Sequence, residues 1–349
     1  MQLNPAGPIR NPRTSSRGGG GALALAILGV VLLANSSSAR SGTIVYASDL
    51  SGVFQLYLMD AGDTEPLGPV TDGSFETGEP EWSPDGTRIV FTGGEYGSYD
   101  VYLANADGSD LINLTDGAYG NDGGAVFSSP CPTTAANCLE RIAFHSQRDG
   151  DYNIYAMTES GGALTQITSN PGDDLYPTWS PDGTKIAFMG ERGTGYFDIY
   201  VLDLETGKES RYTTSDYKDE AWPAWSPDGR TILYVSNETG SFRIWVMEIG
   251  CTPECGAHKR LLIPDKDANG DPVIVTEYDP AWSPDSQWIA FSSNRDPSSP
   301  EPNVIQSDYD LFVVRADGTG LTQLTFDDSG NDFTPAWAAK EHAAGQVAP

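Results

Sequence analysis

The stretch Tyr176-Pro-Thr-Trp-Ser-Pro-Asp-Gly-Thr-Lys-Ile-Ala-Phe188 decides the fold. It returns at Glu79–Phe91, at Trp222–Tyr234 and, with Ser286 in place of the glycine, at Asp279–Phe291. Two degraded copies lie around Phe127-Ser-Ser-Pro130 and at Thr334-Pro-Ala-Trp337. The stretch reads as a hairpin. A short strand ends at the Trp, Ser-Pro-Asp-Gly turns the chain, and an apolar strand returns. Proline fits the second turn position because its φ is already fixed, Asp suits the third, and Gly is favoured where the chain leaves. Self-similarity at such a period is the mark of a repeat architecture.

Working outward, the anchors fall at Trp82, Phe127, Trp179, Trp225, Trp282 and Trp337, spaced by 45–57 residues. Between them the same order returns. An Ile-Ala-Phe strand comes first, then a strand of the Asp198-Ile-Tyr-Val-Leu-Asp203 kind, then a short Leu-Thr element such as Leu114-Thr115. Four short strands in each of six units predict an all-β, six-bladed β-propeller with four-stranded blades. The first unit, at Gly42–Tyr46, has no Trp strand of its own, whereas the last anchor, Pro335-Ala-Trp337, has nothing after it. The C-terminal strand is therefore expected to complete the first blade, which leaves the ring without open edges.

These repeats resemble the TolB-like β-propeller family, also described as WD40-like Pro-Asp repeats. The likeness rests on Pro-x-Trp-Ser-Pro-Asp-Gly at 80–86, 177–183 and 223–229, and on the flanking Ile-Tyr and Leu-Thr elements. It covers about 43–338 and implies the propeller, with the anchor strand innermost. TolB itself carries a further N-terminal α/β domain, for which the sequence offers no room. Prolyl-oligopeptidase-type enzymes share the repeats, but no Gly-x-Ser-x-Gly nucleophile elbow occurs here.

The chain has 349 residues with 39 Gly and 24 Pro, and its formal net charge is −29. Nucleic-acid binding needs basic side chains to neutralise phosphates, so that class is excluded, and a basic partner or a cation is the natural complement. Residues 1–40 read as a signal peptide. Arg10, Arg13 and Arg17 form a positive region, Ala22–Ala34 is apolar but short for a bilayer, and Ser37-Ser-Ala39 suits cleavage. An uncleaved anchor is the alternative. The propeller is assigned to 41–338 and a short flexible tail to 339–349. Export to the periplasm or the cell exterior follows, with no membrane insertion after cleavage and a monomeric state. Under export, Cys131/Cys138 and Cys251/Cys255 are expected as disulfides, with zinc the alternative.

Five residues before the anchors stand Thr77, Asp122, Asp174, Glu220, Glu277 and Asp332. If the anchor strand is innermost, the five acids ring one channel mouth and bind a cation or a basic peptide. Otherwise each caps its own loop. Trp222, Tyr176 and Tyr278 give the same mouth an aromatic surface, or else pack in the core. Asp265, Asp267, Asn269 and Asp271 follow a calcium-loop pattern, but Thr276 stands where the twelfth-position Glu belongs. Arg148, Arg192 and Arg295 are expected to pair with nearby acids as structural elements. No catalytic set stands out. The leading expectation is an exported, non-catalytic propeller that binds a protein or peptide with a basic segment through the acidic mouth. The alternative is a calcium-dependent carbohydrate-active hydrolase or lyase using the carboxylates of that mouth.

Overall fold

The computed structural model describes residues 40–338 apart from 96, 118–119, 130–140, 215–216, 251–258, 265–272, 297–304 and 327–329. The expected signal peptide, tail, cysteine pairs and calcium loop thus lie outside the described residues, except for Arg40.

Chain order gives β1 (Thr43–Ser48), β2 (Gln55–Asp60) and β3 (Pro66–Pro69) in the first blade. The second holds β4 (Glu76–Trp82), β5 (Arg88–Glu95), β6 (Ser98–Asn105) and β7 (Ile112–Asn113). The third holds β8 (Asp122–Phe127), β9 (Ile142–Ser146), β10 (Asn153–Met157) and β11 (Thr165–Gln166). The fourth holds β12 (Asp174–Trp179), β13 (Lys185–Glu191), β14 (Phe197–Asp203) and β15 (Glu209–Arg211). The fifth holds β16 (Glu220–Trp225), β17 (Thr231–Ser236), β18 (Arg243–Glu248) and β19 (Lys259–Leu261). The sixth holds β20 (Glu277–Trp282), β21 (Trp288–Arg295), β22 (Ile305–Arg315) and β23 (Thr322–Gln323). β24 (Asp332–Ala338) then joins the first blade beside β1, which gives six antiparallel four-stranded sheets. It pairs Ile44 with Trp337 and Ser48 with Asp332, the closure expected from the sequence. No helix occurs among the described residues.

The innermost strands touch in sequence, β4 to β8, β12, β16, β20, β24 and back to β4, so they form a closed ring around an axial channel. Between blades lie apolar layers. Val45, Leu56 and Leu58 of the first blade meet Trp82, Ile89 and Phe91 of the second, and equivalent clusters follow around the ring. Each blade is too thin to bury its faces alone, so stability is shared by neighbours. Anchor tryptophans add polar stitches. Trp82 Nε1 donates to Ala336 O at 3.2 Å, and Trp282 Nε1 donates to Ala224 O at 3.1 Å.

The Ser-Pro-Asp-Gly turns form as their chemistry dictates. Ser83 Oγ donates to Asp85 Oδ1 at 2.7 Å, Thr87 N donates to the same oxygen at 3.0 Å, and Gly86 N closes on Ser83 O at 2.8 Å. Gly86, Gly183 and Gly229 sit at φ 64°, 69° and 76°, the left-handed region that glycine enters without strain. These turns leave one face of the ring. Because strands alternate in direction, the innermost strands begin at the opposite face.

Every innermost strand is interrupted at one place. Three residues before the anchor, Glu79, Gly124, Tyr176, Trp222, Asp279 and Thr334 all have φ between 48° and 57°. Pairing with the next strand slips at this step in every blade. In five blades the following residue is proline: Pro80, Pro177, Pro223, Pro280 or Pro335. Proline has no N–H for the ladder, so the strand bulges, and a bulge re-aims the side chains around it.

Candidate functional site

The bulges turn one residue per blade toward the axis, and these residues meet each other across blade boundaries. Glu79 N donates to Thr334 Oγ1 at 3.2 Å, and Thr334 N donates to Asp279 Oδ2 at 3.4 Å. Asp279, Thr334 and Glu79 are therefore consecutive around the channel. On the other side of Glu79 the ring position is Gly124, which has no side chain. Tyr176 of the next blade crosses that gap, and its hydroxyl donates to Glu79 Oε1 at 2.8 Å. Glu79 Oε2 accepts from Thr92 Oγ1 at 2.7 Å and from Gly124 N at 2.8 Å.

The electrostatics are one-sided. Asp279 is half-buried, and desolvation, with a smaller push from Glu79, raises its carboxyl to about 7. Desolvation likewise raises Glu81, two residues after Glu79, to about 7. His145 is buried beside Tyr176 and accepts from Tyr176 N at 3.4 Å through Nδ1. Desolvation lowers it to about 4, against an opposing pull from Glu79, so it is neutral at ordinary pH.

Aromatic rings continue around the same end of the channel. His145 and Tyr176 have centroids 5.0 Å apart, Tyr176 and Trp222 5.9 Å, and Trp222 and Tyr278 5.5 Å. Tyr278 to Tyr309 is 5.7 Å, Tyr309 to Phe333 5.0 Å, and Phe333 to Phe54 6.2 Å. From Tyr176 onward all of these are half-buried, and they form a continuous aromatic arc.

The acids singled out by spacing have a different environment. Asp122, Asp174, Glu220, Glu277 and Asp332 are at most 1% exposed and do not form a solvent-facing ring at the mouth. Arg148 reaches Asp122 at 3.1 Å, Arg192 reaches Asp174 at 2.6 Å, and Arg295 reaches Glu277 at 2.8 Å. The expected arginine pairing is thus present in three blades. In a fourth pairing, Arg243, 1% exposed, lies 3.2 Å from the same Glu277. These groups belong to a repeated network with the Leu-Thr elements. Thr115, Thr168, Thr213 and Thr325 each accept a strand N–H through the hydroxyl, at 2.8–3.0 Å. In the fifth blade Glu277 Oε2 takes that role, accepting from Ile244 N at 3.1 Å. Asp122 and Asp174 hydrogen-bond to Thr115 and Thr168.

Tyr176, Trp222 and Tyr278 lie within this arc, and each also packs against an apolar layer between blades. Glu79, Asp279, Thr334 and Glu81 were not singled out in the sequence. Their signal was the repeated proline two residues before five of the six anchors. Asp265, Asp267, Asn269, Asp271, Cys131, Cys138, Cys251 and Cys255 are not among the described residues. Among the described residues no group of three or more His, Cys, Asp or Glu is arranged to hold a metal, and no helix is long and apolar enough to cross a membrane.

A family model described as the TolB beta propeller domain matches residues 132–255. The Chlorobium luteolum protein TolB homolog is 31% identical over 182 residues, covering 51% of this chain and 38% of that protein. The chain thus spans well under half the length of that curated relative. Among solved structures, TolB from Acinetobacter baumannii superposes with a TM-score of 0.64 at 21% identity, covering 86% of this chain and 67% of that one. A putative TolB from Agrobacterium tumefaciens gives 0.56 at 22% identity, covering 86% and 99%. At those identities the two structures speak for the fold. The Pro-x-Trp-Ser-Pro-Asp-Gly repeats, the closed ring of six blades and these likenesses give the chain the repeats and the fold of a TolB-like β-propeller.

Proposed function

We propose that this chain is an exported, non-catalytic TolB-like propeller of the cell envelope, which binds a protein or peptide partner at the channel end that carries the aromatic arc. The observation that carries this reading is the half-buried run Tyr176, Trp222, Tyr278, Tyr309 and Phe333 beside Glu79 and Asp279. Aromatic rims around a few fixed polar groups are the usual composition of recognition sites. The net charge of −29 favours a partner segment that is basic. The TolB relationship and the leader-like residues 1–40 support export.

Affinity capture from native envelope tests it, with a Trp222→Ala/Tyr309→Ala variant alongside and its fold checked by circular dichroism. A partner held by the wild type and lost by the folded variant supports the site. Equal recovery by both rules it out.

One observation favours a hydrolase or lyase on this fold. Asp279, raised to about 7 and facing the channel near Glu79, has the character of a general acid. Turnover of a polysaccharide panel that disappears in Asp279→Asn would support catalysis, with or without added calcium; no turnover by the wild type removes this reading.

A further inference from the structure

We propose that the channel receives the cationic end of a lysine or arginine side chain from the docked partner, held between Asp279, Thr334 and Glu79 and walled by Tyr176 and Trp222. This deepens the docking reading and shares its channel end.

The first support is a missing counter-charge. Elsewhere the buried acids Asp122, Asp174 and Glu277 each have a guanidinium within ion-pair distance. Among the described residues, Glu79, Glu81 and Asp279 take part in none of the ion pairs. The nearest candidate, His145, is buried and neutral. Carboxylates crowded in a poorly solvated space gain most from a cation brought by a ligand.

The second support is the shape of the acceptor. Three donors hold Glu79: the Tyr176 hydroxyl, the Thr92 hydroxyl and Gly124 N–H. A carboxylate has about four acceptor positions, so one remains for a ligand. Asp279 accepts one long bond, 3.4 Å from Thr334 N, and has more capacity to spare.

The third support separates an organic cation from a metal ion. Calcium seeks six to eight oxygens. Here the acids stand beside a row of rings, Tyr176, Trp222 and Tyr278, the first of which hydrogen-bonds to Glu79. Ring faces attract ammonium and guanidinium groups, and they shelter the aliphatic stem that carries them.

Titration calorimetry on the whole chain at pH 8 tests this with three probes of equal length: the Nα-acetyl N-methylamides of lysine, arginine and norleucine. The two cationic probes should bind and norleucine should not. Glu79→Gln/Asp279→Asn should weaken binding at least about tenfold. No binding by either cationic probe overturns the proposal, as does equal binding of norleucine or an unchanged affinity in the folded double variant. Calcium chloride binding to the wild type, lost in that variant, with no amine binding also overturns it. Should the double variant not fold, the comparison of norleucine with lysine on the wild type decides. A partner captured by a chain that binds no amine removes only this inference. An amine bound by a chain that captures nothing removes only the docking reading.

Discussion

The phenol of Tyr176 donates a 2.8 Å hydrogen bond to Oε1 of Glu79, two blades away, through the space that Gly124 leaves empty. A Cβ on Gly124 would lie 2.8 Å from His145 Nδ1 and 3.2 Å from Tyr176 Cδ1, and the backbone there sits at φ 57°. Gly124→Ala must therefore displace His145, strain the backbone or both. A loss of about 1–3 kcal/mol is expected. It would be read as a lower midpoint in urea unfolding, with the Tyr176 hydrogen bond broken.

Arg192 and Asp174 make the second prediction. Asp174 is fully buried, and desolvation raises its carboxyl to about 6 even though Arg192 stands 2.6 Å away. Arg192 also lies over the Tyr200 ring, 4.5 Å from its centroid. Arg192→Ala removes the guanidinium partner of a carboxylate that water cannot reach. A cost of about 3–5 kcal/mol is expected. Adding Asp174→Asn should restore part of it, with a coupling above about 1 kcal/mol in a double-mutant cycle by chemical denaturation.

Stability should depend on pH through Asp279. Its folded value, about 7, lies above its ordinary 3.8. Between about pH 4 and 7 the native chain keeps a proton that the unfolded chain has released, so stability falls as pH rises through that window. The stabilising contribution is complete below pH 4 and gone above 7. The charge of Glu79 adds to the resistance of Asp279 to ionisation, and the hydrogen bond from Thr334 N opposes it. Asp279→Asn should stabilise the chain by roughly 2–4 kcal/mol at pH 8 and have little effect at pH 4. Thermal melts at the two pH values check it. Equal effects at both would contradict the assignment.

Ser286 offers a smaller test. It occupies the turn position held by glycine in three other blades, at φ 58°. Its hydroxyl accepts from Asp228 N at 3.2 Å in the neighbouring blade. Relief of the left-handed conformation should outweigh that exposed hydrogen bond, so Ser286→Gly is expected to stabilise by about 0.5 kcal/mol. A calorimetric melting temperature would show it.

The ring could be read from the sequence because its turns are specified locally. Ser83, Pro84, Asp85 and Gly86 build one hairpin with their own side chains, and repetition of that chemistry counts the blades. Ring closure was readable as well, because Trp337 and Gly42–Tyr46 are the two halves of one blade. The channel lining was not readable by counting five residues back from the anchors. That count placed Asp122, Asp174, Glu220, Glu277 and Asp332 at the mouth, where a regular strand would carry them. The bulge beside Pro80, Pro177, Pro223, Pro280 and Pro335 shifts the register, and a slip of one residue exchanges the two faces of a strand. Glu79 and Asp279 consequently face the axis, and Asp122, Asp174 and Glu277 of the expected ring are folded inward onto arginines.

The most direct test of the docking claim is photocrosslinking in native envelope, with benzoylphenylalanine placed at Tyr309 in one variant and at Asp182 in another. Tyr309 stands in the aromatic arc, and Asp182 in a Ser-Pro-Asp-Gly turn on the opposite face. A discrete partner adduct from position 309 and none from position 182 is the predicted result. An adduct from 182 alone, or equal yields from both, would contradict the assignment of the channel end as the docking surface.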